Sequence, residues 1–299
     1  MFELRRHVPL AEEARRLVGE PIQAAAQSLR GDDFVDAVHE ARKSLKRARA
    51  ALRAFDGVFG STERDLTDAL RDAGRRLGVI RDGHARVEAL VAFTARRSEL
   101  AAALEPVRVA LQSVDAADQA EQRAETARVA AELDALAAAS DAWRLAHDPA
   151  DALARGLRRS YRRARRAMRA AYEEPTTDRF HAWRRRTKDV QYQWTMLRPL
   201  WPDVFDAYVG EAKALGDDLG DEHDAALLAF QLLNDATLRG LVASRADCLA
   251  ALESVRAELR ARARHLGRRL FAESPRVYVE RLLSWRRAWQ DEGSAVGEA

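Results

Sequence analysis

The chain has 299 residues, 47% of them apolar, enough for a sizeable core, yet no apolar run approaches the ~20 residues that a bilayer span needs. Its single cysteine, Cys248, excludes an internal disulfide and any zinc site built on several thiolates. The net charge of +3 hides a segregation: residues 39–53 carry +5, residues 155–169 carry +8 and residues 181–188 carry +4, which leaves −14 on all the others. Basic charge concentrated in this way marks a polyanion-binding surface better than the overall balance does.

Taken in chain order, the sequence reads as all-α. Alanine, leucine, arginine and glutamate dominate, and no stretch alternates with period two. The opening Met1-Phe2-Glu3-Leu4-Arg5-Arg6 leads into no apolar leader, so a bacterial cytoplasm is the expected location. Breaks are predicted at Pro9, Gly31 to Asp33, Gly57 to Ser61, Pro106, Asp148-Pro149, Pro175 to Asp178, Pro199 to Asp203, Gly240 and Ser274-Pro275. Asp148-Pro149 and Ser274-Pro275 each set a capping oxygen before a proline at the first helical position, where its missing N–H costs nothing. About eight to ten helices follow. Ala101 to Ala142 reads as helix without a cue for its breaks, and Cys248 reads as a small core residue.

Two motifs recur at one offset. H-E-A-R-K-S-L-K at His39 matches H-A-W-R-R-R-T-K at His181, and L-G-V-I-R-D at Leu77 matches L-G-D-E-H-D at Leu219. Both pairs stand 142 residues apart (39 and 181, 77 and 219). The chain therefore divides into two homologous halves, residues 1–145 and 146–299, each a bundle of about four helices.

Residues at i, i+3, i+4 and i+7 share a helix face. The first stripe is His39, Arg42, Lys43, Lys46, Arg49 and Arg53, with Arg47 beside it. The second is His181, Arg184, Arg185 and Lys188, extending to Tyr192. The third is Arg158, Arg162, Arg165 and Arg169, next to Tyr161. Arg186 falls off the second stripe. Leu45, Leu52, Phe55, Leu157, Ala164, Met168, Trp183, Val190 and Trp194 occupy the opposite faces and are expected to pack inward.

A plain solvated face would intersperse acids, because like charges one turn apart repel by a few tenths of a kcal/mol per pair. These stripes do not, the pattern recurs in both halves, and arginine's planar fork suits bidentate contact with phosphate oxygens. An anionic ligand is the better account. The cationic neighbours should hold His39 and His181 neutral. Arg81 and His223 could touch the ligand, while Asp82 and Asp224 are expected to buttress the cationic helices. For His84 beside Asp82 and His223 between Glu222 and Asp224, salt bridging comes ahead of metal binding, and no metal or other cofactor is expected. No Gly-rich phosphate loop and no Ser/His/Asp or Cys/His arrangement stands out, so an enzyme is not expected.

These residues bring a family with them. V-H-E-A-R-K-S-L-K-R-A-R, H-A-W-R-R-R-T-K-D-V-Q-Y and L-G-D-E-H-D-A-A-L-L resemble the two halves of a CHAD domain, and G-L-R-R-S-Y-R-R-A-R-R and H-L-G-R-R-L-F-A-E-S-P resemble its later segments. The resemblance spans roughly residues 3–290. It implies two antiparallel four-helix bundles related by a pseudo-twofold, with a basic groove or pore between them, and binding of inorganic polyphosphate at polyphosphate granules. It also implies that His39, Arg42, Lys43, Lys46, Arg47 and Arg49 form one wall and His181, Arg184, Arg185 and Lys188 the other. Arg158, Tyr161, Arg162 and Arg165 would contribute. Many relatives carry a triphosphate-tunnel catalytic domain with an E-x-E-x-K motif; nothing here resembles it, so hydrolysis is not carried over. Gly83-His84 departs from the family's usual pattern in that loop. Without an aromatic platform among the stripes, nucleic acid is the weaker partner. An adaptor for nucleic acid or another polyanion, or an accessory to phosphoanhydride processing, is the alternative.

Overall fold

The computed structural model describes the backbone of residues 1–114, 119–242 and 244–296, and their side chains except at 81–85, 113–114, 119 and 293–296. Eleven α-helices and no strand occur among the described residues: α1 Leu10–Ser28, α2 Phe34–Ala54, α3 Thr62–Arg96, α4 Ala101–Val114, α5 Gln119–Ala138, α6 Pro149–Glu173, α7 Thr177–Leu197, α8 Pro202–Asn234, α9 Ala236–Gly240, α10 Arg245–Leu270 and α11 Pro275–Val296. The all-α expectation holds, and the count exceeds eight to ten because α9 is a five-residue piece.

Local chemistry accounts for the boundaries that position the site. Asp33 caps α2 by accepting from the Asp36 amide at 3.0 Å, and Thr176 caps α7 by accepting from the Arg179 amide at 3.4 Å. Asp148 accepts from the amides of Ala150 and Asp151, both at 2.9 Å, with Pro149 at the first position of α6. Gly57 and Gly60 turn the chain after α2 with φ of 83° and 57°, which only glycine adopts cheaply. Pro106 is a correction: it lies inside α4, and the break falls earlier, at a 3₁₀ turn over Ser98–Leu100.

α1, α2, α3 and α5 pack on one another in the first half, and α7 packs on α6 and α8, with α10 along α8, in the second. The main apolar core draws on both halves, from Leu4 to Trp289, and takes in Leu45, Leu52, Phe55, Leu157, Ala164, Trp183, Val190 and Trp194, with Met168 partly buried against it. A satellite core, in which Cys248 is buried, joins the far ends of α3 and α8 to α4 and α10.

One set of contacts decides where the charge goes. α2 packs on α3 and α7, α7 packs on α8, and α8 packs on α3, which closes a circuit of four long helices. α2 and α7 run antiparallel: Arg53 bonds Asp189, while four residues further along α7 the Gln193 amide reaches back to the Ala50 carbonyl. Their basic stripes thus meet end to end near Arg53 and Asp189 and run on in opposite directions along the two helices.

Candidate functional site

Two basic stripes are aimed into this circuit. From α2, Arg42 donates to the Gly74 carbonyl of α3 at 2.9 Å, and its guanidinium lies over Gly78, where an added Cβ would stand 2.8 Å away. From α7, Arg184 lies over Gly220 of α8, where a Cβ would stand at 2.9 Å, and Lys188 over Gly216, at 2.6 Å. Gly78 and Gly220 are the glycines of the two L-G motifs, so the repeat marks where a bare helix surface lets a cation lie flat. Gly74 and Gly216 share the same spacing, so the repeat extends one turn back along both helices.

The α2 and α7 stripes converge at one end. Arg53 pairs with Asp189 at 2.9 Å, and Arg186 donates to the same carboxylate at 3.3 Å. Arg49, Arg185 and Arg186 are close enough to repel, and burial together with Arg53 pushes the Arg49 guanidinium below its ordinary range. Arg186 therefore joins the cluster, contrary to the helical spacing that set it aside: it reaches the carboxylate that also holds Arg53 of α2, with its side chain still partly in solvent.

At the other end of the α7 stripe, His181 and His223 meet with ring centroids 4.2 Å apart, and the Nδ1 of each is buried without a hydrogen-bond partner. Burial comes first in lowering both; Arg185 and Arg184 add to the effect on His181, and His181 and Arg184 to that on His223, which falls to about 4. Both are neutral near pH 7. Burial also lowers the Lys188 ammonium, with Asp217 at 3.4 Å opposing it. The second-half acids take different duties. Buried Glu222 holds Arg256 and Arg260 of α10, and Asp218 holds Arg262. No acidic side chain pairs with Arg184 or Arg185 among the described residues.

The remaining first-half residues are distributed along α2. Lys43 is tied to Glu40 at 3.1 Å, His39 and Lys46 are exposed, and Arg47 enters the α2–α7 seam beside Tyr192, its Nε buried without a partner. Arg81, Asp82 and His84 lie outside the residues whose side chains are described.

The third stripe needs correcting. Tyr161 is only 1% exposed; its ring stacks on Tyr278 at 4.0 Å and its hydroxyl donates to the Leu270 carbonyl, so it is a core residue and not part of a wall. Arg158, Arg162 and Arg165 are not brought to the α2–α7 cluster either. Gly156 presses α6 onto α2, where a Cβ would meet the Ala54 carbonyl oxygen at 2.0 Å, and this contact sets the rotation of α6. The arginines turned towards α2 and α7 are consequently Arg159, paired with Asp56 at 2.7 Å, and Arg163, which feels Arg186, Arg159 and Arg53. Spacing alone cannot choose between two arginine edges of one helix.

Comparison with known proteins supplies the family context. The family model described as the CHAD domain matches residues 16–233. The crystal structure of the CHAD domain from the plant Ricinus communis is similar with a TM-score of 0.55 and 19% identity, over 87% of this chain and 94% of that one. Among curated proteins, none matches.

Proposed function

The chain belongs to the CHAD domain family, and on that premise we propose that it binds inorganic polyphosphate inside the circuit of α2, α3, α7 and α8. The observation that carries this reading is the pair of opposed stripes, Arg42 and Arg49 from one half and Arg184, Arg185 and Lys188 from the other. Cations crowded into a half-buried circuit repel one another and are costly to desolvate; a chain of phosphates supplies balancing charge along the whole stripe. Polyphosphate has no bases to read, and this lining offers dense cations and little else.

The same reading assigns His39, Lys43, Lys46 and Arg47 to the approach to the circuit and makes His181 a hydrogen-bond donor to phosphate. Association with polyphosphate granules in the cytoplasm follows from binding alone, and turnover of the phosphoanhydride is not part of the proposal. Titration of the pure protein with long-chain polyphosphate at physiological salt tests it. Binding that weakens steeply with salt is expected, by analogy with counterion release from nucleic acids. No binding, or displacement by duplex or single-stranded DNA at equal phosphate concentration, would sink the reading. Release of orthophosphate with Mg²⁺ or Mn²⁺ would require an enzymatic one.

A further inference from the structure

We propose a second polyphosphate track on the opposite side of α6, formed by Arg158, Arg162, Arg165 and Arg169 together with Arg264 and Arg268 of α10. It rests on the reading of the circuit as a polyphosphate site and extends it to a surface outside that circuit.

The two edges of α6 face different neighbours. Arg159 and Arg163 turn towards α2 and α7. The other edge lies along α10, which is fixed at three points. Tyr161 donates to the Leu270 carbonyl at 3.1 Å, a Cβ on Gly267 would stand 2.8 Å from the Met168 sulfur, and Tyr172 donates to the Arg260 carbonyl at 2.7 Å. Increasing numbers on α6 thus meet decreasing numbers on α10, and the helices run antiparallel. Arg165 and Arg169 follow Tyr161 by four and eight residues and therefore border this seam. Arg264 stands over the Tyr172 ring at 5.0 Å, and Arg268 lies one turn further along α10. From Arg158 to Arg169 the row extends about 16 Å at the helical rise.

Among the described residues, none of the six arginines has an acidic partner. The acids near the row are few: Glu273 is occupied by Arg281 through both oxygens, and exposed Glu173 closes the α6 end. Some exposed arginines elsewhere are paired within about a turn, as in Arg71–Asp68, Arg75–Asp72 and Arg276–Glu280, and others, such as Arg64 and Arg245, stand singly among the described residues; what sets this row apart is that its arginines follow one another along one seam. A row of unpaired arginines one turn apart is self-repelling, and a linear polyanion relieves that repulsion. Of the rings beneath the row, Tyr161, Phe271 and Tyr278 are buried and the partly buried Tyr172 is overlaid by Arg264, so the row offers no free aromatic platform to bases, and a chain of phosphates is the ligand that fits.

The experiment compares three full-length proteins with short polyphosphate of about ten phosphates and with long-chain polyphosphate: wild type, R162E/R165E/R169E and R184A/K188A. The α6 variant is expected to bind the short chain as wild type does, and the long chain about tenfold more weakly with a flatter salt dependence. Unchanged long-chain affinity in that variant overturns the second track and leaves the circuit reading intact. Unchanged affinity of R184A/K188A for both lengths overturns the circuit reading instead. If single-stranded DNA displaces long polyphosphate from R184A/K188A at equal phosphate, the α6 row is a nucleic-acid surface and the proposal fails. All six arginines have solvent-accessible side chains; circular dichroism checks each fold, and R162Q/R165Q/R169Q repeats the test should the reversed charges perturb it.

Discussion

The two halves place corresponding cations in unlike surroundings. In the first, Arg42 finds a backbone carbonyl, and His39 and Lys46 are exposed. In the second, Lys188 is lowered by burial, and His181 is stacked against a second imidazole with a buried, unbonded Nδ1. The same motif thus yields a wet wall and a drier one. Electrostatic attraction strengthens as water is excluded, so the second half should hold phosphate more tightly, and the first should act mainly by adding charge along the chain.

The sharpest way to break that comparison is to truncate equivalent pairs. R184A/K188A should weaken polyphosphate binding about 100-fold, taking ~1.5 kcal/mol for each charged hydrogen bond removed. The first-half equivalent, R42A/K46A, should cost about tenfold. Equal weakening in calorimetric titrations would abolish the distinction between the walls. A second experiment strikes the joint between the halves. Gly156→Ala sets a methyl against the Ala54 carbonyl, backbone against backbone, and should cost about 3 kcal/mol of stability in denaturant unfolding. A variant as stable as wild type would show that α2 and α6 are free to part.

Proton linkage sharpens the comparison further. A bound anion raises the pKa of the His181–His223 pair, so polyphosphate affinity should rise severalfold as pH falls from about 7.5 towards 5. Without ligand the sign reverses for stability. The folded His223 titrates near 4, below the unfolded value, so the unfolded chain takes up the proton first. Stability is then lost as pH drops from about 6.5 to 4. H223Q should flatten both profiles, read by titration and by thermal melts across that range; an unchanged pH dependence would locate the linkage elsewhere.

Gly220→Ala is smaller. Its methyl displaces the end of the Arg184 side chain, not backbone, so affinity should fall two- to fivefold while helix propensity leaves stability level or slightly improved. The smallest effect on binding is expected of Tyr161→Phe. It removes one buried hydrogen bond, worth about 1 kcal/mol, and should lower Tm by about 2–4 °C without changing polyphosphate affinity. A binding defect would return Tyr161 to the site.

Much of this was legible beforehand, for local reasons. Helical periodicity, caps such as Asp148-Pro149 and the offset of 142 residues between His39 and His181 are properties of short stretches. They determine the all-α class, the internal repeat, the two cationic stripes of α2 and α7, and the inward faces carrying Leu45, Trp183 and Trp194. The family resemblance comes from the same stretches. What tertiary structure alone decided is how helices are rotated against each other. Gly156 pressed on Ala54 turns Arg159 and Arg163, not Arg158 and Arg162, towards α2. The α2–α7 seam recruits Arg186, Tyr161 is drawn beneath α10, and His223 is set against His181. A helix carrying arginine on several faces looks the same in sequence whichever face is turned inward; close backbone contacts between distant segments make that choice.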